Sequence, residues 1–118
     1  MENTNIISQS GTIDSKTLFR MMNGKCDKLR ECAGDTVDIV GHAVIDQPNS
    51  DGDLKTILYL IFNDGRICAT NSATVYRTFL AMVIAFGEPT EENPLKDVVI
   101  VESKSKNGRT FLDLDFAE

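Results

Sequence analysis

Residues 66–89 read RICATNSATVYRTFLAMVIAFGEP, and their division into a strand and a helix decides the fold. Asn71 or Ser72 caps a helix over Ala73 to Phe86, since a short polar side chain there accepts from the unpaired N–H groups of a first turn. Val75, Phe79, Met82, Val83 and Phe86 then form one apolar stripe at helical spacing. Gly87 and Pro89 end the helix, because proline cannot continue it. Arg66 to Thr70, just upstream, reads as a strand, and Asp64-Gly65 before it is a strong hairpin signal.

Outward from this stretch the pattern is strands on both sides. Leu54 to Asn63 reads as a strand with Leu54, Leu58, Leu60 and Phe62 on one face. Pro48-Asn49-Ser50-Asp51-Gly52-Asp53 is a turn cluster. Thr36 to Gln47 is a long strand, with Val37, Ile39, Gly41, Ala43 and Ile45 alternating against Asp38, Val40, His42, Val44 and Asp46. Gly41 in its middle predicts a bend or bulge. Downstream of the helix, Asp97 to Ser103 and Arg109 to Phe116 are strands joined by the turn Lys104 to Gly108, with Leu112, Leu114 and Phe116 facing inward. The alternation through Asp113 to Glu118 favours a last strand over an acidic tail that recruits partners. Ser15 to Met22 reads as a short helix capped by Asp14 or Ser15, with Leu18, Phe19 and Met22 as its stripe, or else as a strand. Residues 1–11 have no period and read as a flexible arm.

Three strands, one helix, then two strands is the order of the oligonucleotide/oligosaccharide-binding (OB) barrel. The expectation is a mainly β, OB-like barrel forming a single domain over residues 1–118. The helix would plug one end of that barrel with its Phe79 and Phe86 side. No apolar run approaches the roughly 20 residues of a membrane span, and the N-terminus has no signal-peptide pattern, so the cytoplasm is the expected compartment. The three cysteines, Cys26, Cys32 and Cys68, are odd in number and fit reduced thiols better than a disulfide framework.

Catalytic groups are sparse. His42 is the single histidine, no Cys/His/carboxylate set has metal-ligand spacing, and no phosphate-cradling glycine loop is present. The chain therefore reads as a binding module, without cofactor or metal, and not as an enzyme. Its net charge of −6 argues against a uniform phosphate-binding surface, but binding requires only that the cations share a face. Lys104, Lys106 and Arg109 crowd one turn that leads into Phe111, an outward aromatic on the last strand. Cations for phosphates beside an exposed ring for base stacking are what a single-strand binder needs. Lys25, Lys28 and Arg30 form a second cluster, and Lys55 with Tyr59 a weaker one. Tyr76 and Arg77 read as surface decoration of the helix.

Several short stretches resemble one known family. Met1-Glu2-Asn3-Thr4-Asn5-Ile6 resembles the opening of the single-stranded-DNA-binding protein of small Gram-positive phages with protein-primed replication. Asp64-Gly65 is similar to that family's hairpin, and Ser72-Ala73-Thr74-Val75 to its helix start. Val98-Val99, Ser105-Lys106-Asn107-Gly108 and Phe111-Leu112-Asp113-Leu114 are similar to its closing hairpin, while Lys16 to Cys32 has no counterpart. The resemblance implies an OB-like fold, sequence-tolerant binding of single-stranded DNA, and protection of displaced strands during phage or mobile-element replication. Replication proteins and a second copy of the chain, paired through edge strands, are the further partners to expect; a membrane is not. The competing expectation is an acidic protein-interaction module, or a DNA-mimicking inhibitor, on the same fold.

Overall fold

A computed structural model describes residues 5–48 and 51–117. In chain order the elements are β1 (Asn5–Ser10), α1 (Ser15–Met22), β2 (Asp27–Lys28), a 3₁₀ turn (Leu29–Cys32), β3 (Thr36–Pro48), β4 (Leu54–Phe62), β5 (Ile67–Thr70), α2 (Ala73–Phe86), β6 (Leu95–Lys104) and β7 (Thr110–Phe116). The strands form one sheet in the order β2-β5-β4-β3-β6-β7, with β1 added to β3. The sheet curls into an open half-barrel around α2, as the three strands, helix, two strands order predicts for an OB-like fold. Among the described residues it does not close: β5 pairs with β4 and the short β2, whereas β7 pairs only with β6.

The β3 strand carries most of the pairing. It faces β4 along one side, while its other side pairs first with β6, from Thr36 to Ile39, and then with β1, from His42 to Asp46. The irregularity anticipated at Gly41 is there, as a register shift against β4 between Ile39 and Gly41. A side chain at this point has no room: a Cβ on Gly41 would sit 2.9 Å from the Ser10 carbonyl oxygen. The shift corrects the single face read from the alternation. One extra residue flips the strand, so Val37, Ile39 and Val44 enter the main core while Ala43 and Ile45 face the opposite side.

Burial on both sides of the sheet follows. The concave side packs Ile39, Leu60, Phe62, Val98 and Ile100 against Val75, Phe79 and Met82 of α2. Leu29 and Cys32 of the 3₁₀ turn join this core. On the convex side α1 lays Met21, with Leu18 and Met22, over Ala43, Ile45 and Tyr59. Asp14 caps α1 by accepting from the Thr17 N–H, and Asn23 ends it. Phe19, expected in the buried stripe, is instead 61% exposed, because Leu18, Met21 and Met22 already fill the contact. Likewise α2 buries Val75, Phe79 and Met82, but Phe86 lies 59% exposed at its last turn, edge-on to Phe116 at 5.2 Å. Leu54, grouped with the inward face of β4, is exposed at that strand's first position.

The expected arm is a strand over residues 5–10, which corrects the sequence reading; residues 1–4 lie outside the described residues. Its polar sequence is explained by what it satisfies. His42 is 3% exposed and packs against Phe79, with ring centroids 4.9 Å apart. The Ser10 hydroxyl donates to the Pro89 carbonyl (2.7 Å), so it accepts from Nδ1–H of His42 at 2.6 Å. That tautomer leaves Nε2 to accept from the Ser8 hydroxyl at 3.2 Å. Burial lowers the His42 pKa, and Glu88 opposes this only in part. The unfolded chain therefore binds a proton that the native chain resists, so this contribution is complete above the ordinary pKa and is lost as pH falls below it. Stability to urea is expected to drop between about pH 7 and about pH 5, and His42→Gln to flatten that slope. An unchanged slope in the variant would remove His42 as its source.

Candidate nucleic-acid interface

The gap between β5 and β7 is a groove of about 590 Å³. One lip is built by β2, which pairs in parallel with β5 and sets Lys28 opposite Ala69. Asn71 and Ser72, leading into α2, extend the same lip, and the Ser72 hydroxyl also caps the helix at the Val75 N–H. The other lip is the start of β7, where Thr110 pairs with Lys104 and Phe111 with Ser103. Phe111 is 37% exposed, and alternation along β7 turns it away from the buried Leu112 and Leu114.

Arg30 spans the two lips. It leaves the 3₁₀ turn, and its Nη1 lies 3.2 Å from Glu102 Oε2 and 3.4 Å from Thr110 Oγ1. Both partners of the ion pair are substantially exposed, so its net contribution to stability is about 0–1 kcal/mol. Only Nη1 is engaged there, and a guanidinium has further donors for an anion. Among the described residues no carboxylate lines the groove, although Glu102 stands beside it as the partner of Arg30. In a chain of net charge −6, this is a locally cationic site.

The fold thus gathers Lys28, Arg30 and Phe111, which are distant in sequence, around one groove. Lys104, Lys106 and Arg109 are all exposed on the β6–β7 hairpin adjoining Thr110 and Phe111. That hairpin is closed by the Gly108 N–H to the Ser105 carbonyl, with Gly108 at φ +78°. Lys25 lies instead beside α1, and Lys55 sits near the exposed start of β4, opposite Gln47. Tyr59 is a correction. It is 3% exposed beneath α1, its hydroxyl donates to the Met21 carbonyl at 2.7 Å, and burial pushes its pKa up to about 12. No base can stack on a ring covered in this way.

Sequence reasoning missed Ile57, Thr70 and Asn71 as groove residues. It also set aside Tyr76, which lines a cavity of about 190 Å³ that shares Thr70, Asn71 and Ser72 with the groove. No local signal marks these positions, since they become neighbours only when β5, α2 and β7 meet. Asp113, an acid that shares a side of β7 with Phe111, is tied down: it accepts from the Thr78 hydroxyl and the Leu114 N–H.

Elsewhere, Cys32 and Cys68 face one another as free thiols 3.3 Å apart. Burial raises the Cys68 pKa, which keeps that thiol protonated. Among the described residues no group of three or more His, Cys, Asp or Glu is placed to hold a metal. No helix among them is long and apolar enough to cross a membrane. No family model, curated protein or solved structure matches the chain.

Proposed function

We propose that this protein binds single-stranded DNA with little sequence preference and catalyses no reaction. The observation that carries the reading is the groove: Lys28, Arg30 and Phe111 converge on a surface without a lining carboxylate, in a chain that is acidic as a whole. Phosphates meet Lys28 and Arg30 and continue along Lys104, Lys106 and Arg109, while a base stacks on Phe111. The groove runs between strand edges and offers no reading head for base pairs, which favours a flexible single strand over a duplex. Coating strands displaced during phage or mobile-element replication, in the host cytoplasm, is the role that this activity and the sequence resemblance together support.

Fluorescence anisotropy with labelled oligothymidine tests the reading. Binding is expected, with a log–log salt slope that steepens by about 0.7 for each phosphate contact, and weaker binding to the corresponding duplex. Absence of binding even at low salt would sink the proposal.

One observation favours a second reading. The outer side of α2 leaves Leu80 43% and Ile84 87% exposed. An apolar helix face of this kind suits a protein partner, such as a replication protein or a second copy of the chain. Were this face the whole function, oligonucleotides would not bind and Ile84→Ser would abolish partner capture.

A further inference from the structure

The second basic cluster does not end at the groove. Lys25 lies beside α1, in a hollow of about 530 Å³ formed with Ser15, Lys16, Phe19 and Arg20. Phe19, at 61% exposure, is more exposed than Phe111. A surface phenylalanine forgoes the gain that burial of its ring would bring. Packing cannot account for it, because the covered side of α1 is filled by Leu18, Met21 and Met22. The surrounding cations come from two segments that the backbone brings together. Lys16 and Arg20 flank Phe19 on the helix, and the Lys25 N–H donates to the Arg20 carbonyl at 2.9 Å, bringing the returning chain against the helix end.

The hollow repeats the composition of the groove: one exposed phenylalanine, several cations and no lining carboxylate. Asp14 is nearby but is engaged in capping α1 at Thr17. Among the described residues the ion pairs are Arg30 with Glu102, and Arg66 with Asp35 and Asp64, so Lys16, Arg20 and Lys25 belong to none. The two sites are also joined. Lys25 in the hollow and Lys28 on the groove lip are three residues apart, a span of at most about 11 Å.

We infer that α1 carries a second binding site for unpaired DNA, in which Phe19 stacks one base while Lys16, Arg20 and Lys25 hold the flanking phosphates. The inference rests on the single-strand reading of the groove. A strand leaving Phe111 passes Lys28 and Lys25 and reaches Phe19, so the protein contacts a longer segment than the groove alone accommodates. The ligand chemistry is set by the pairing of ring and cations: a ring face for a planar base, and positive charge for a repeating anion.

The chain contains no tryptophan, which makes the two platforms separately observable. Phe19→Trp and Phe111→Trp each introduce a single indole whose emission reports stacking. The probes are oligothymidines of about 4 and about 16 nucleotides, the ends of the range that OB domains occupy. Phe111→Trp is expected to be quenched by both oligomers, and Phe19→Trp by the longer one only. Phe19→Ala should weaken the longer oligomer about tenfold and leave the shorter unchanged. Lys16→Gln with Lys25→Gln should lower the salt slope for the longer oligomer by about 1.4, two contacts at about 0.7 each. Thermal melts of the variants verify folding.

Phe19→Trp emission indifferent to the longer oligomer, beside a quenched Phe111→Trp, overturns this inference and leaves the groove reading intact. A response of Phe19→Trp to poly-glutamate but to neither oligomer also overturns it, assigning the hollow to an acidic polypeptide. If neither variant is quenched and anisotropy shows no binding, the groove reading fails and this inference with it.

Discussion

Phe79→Ala is expected to destabilise the protein by about 3–5 kcal/mol, a large part of the roughly 5–15 kcal/mol that holds a domain folded. The ring is fully buried where α2 meets the curled sheet, against His42 and the residues of β3, β4 and β6. Removing it loses the transfer energy of the ring and leaves a cavity that strands on three sides cannot collapse to fill. A urea titration reads this as a lower midpoint at unchanged slope. A loss below about 1 kcal/mol would mean that α2 is not the plug on which the half-barrel depends. Ile84→Ser, on the exposed side of the same helix, provides the contrast and should stay within about 0.5 kcal/mol.

Phe111→Ala is expected to cut affinity for oligothymidine by about tenfold or more, the loss of one stacked base at about 1–3 kcal/mol. Folding should survive, because the inward side of β7 is carried by Leu112 and Leu114. Lys106→Gln should act differently, weakening binding modestly and lowering the salt slope by about 0.7. If Phe111→Ala stays folded with unchanged affinity, the ring is not a stacking platform and bound DNA lies elsewhere.

The parts of this fold that were legible in the sequence are those fixed by local chemistry. Ser72 and Gly87 bracket α2 because one satisfies a free N–H and the other takes φ +90°. Asp64-Gly65 marks its turn for a similar reason: Gly65 has φ +92° and Asp64 accepts from the Arg66 N–H. The bend at Gly41 was also readable, but its effect on facing was not, since alternation alone does not say which of two packed sides a flipped residue enters. Tyr59 was misread for the same reason. Alternation on β4 separates it correctly from Leu58 and Leu60, yet nothing local says that α1 covers that side too. The β1 strand was missed because its partner interactions, Ser8 and Ser10 with His42, span more than thirty residues. The site follows the same division. Phe111 beside a basic turn is a local pattern, whereas its approach to Lys28 and Arg30 exists only because the sheet curls.

A closed barrel has a fixed girth, set by its number of strands and their tilt and stagger. Here β7 and the β2–β5 edge share no ladder among the described residues, so the ring is a cuff with a gap. Across it the side chain of Arg30 reaches Glu102 and Thr110, and the chain just beyond is tied to β6 by the Gly34 N–H to the Ile100 carbonyl and the Ile100 N–H to the Asp35 carbonyl. Arg30 and Glu102 work as the clasp of this cuff, fastened at the small energetic scale of an exposed ion pair, so Arg30→Ala is expected to leave the fold standing.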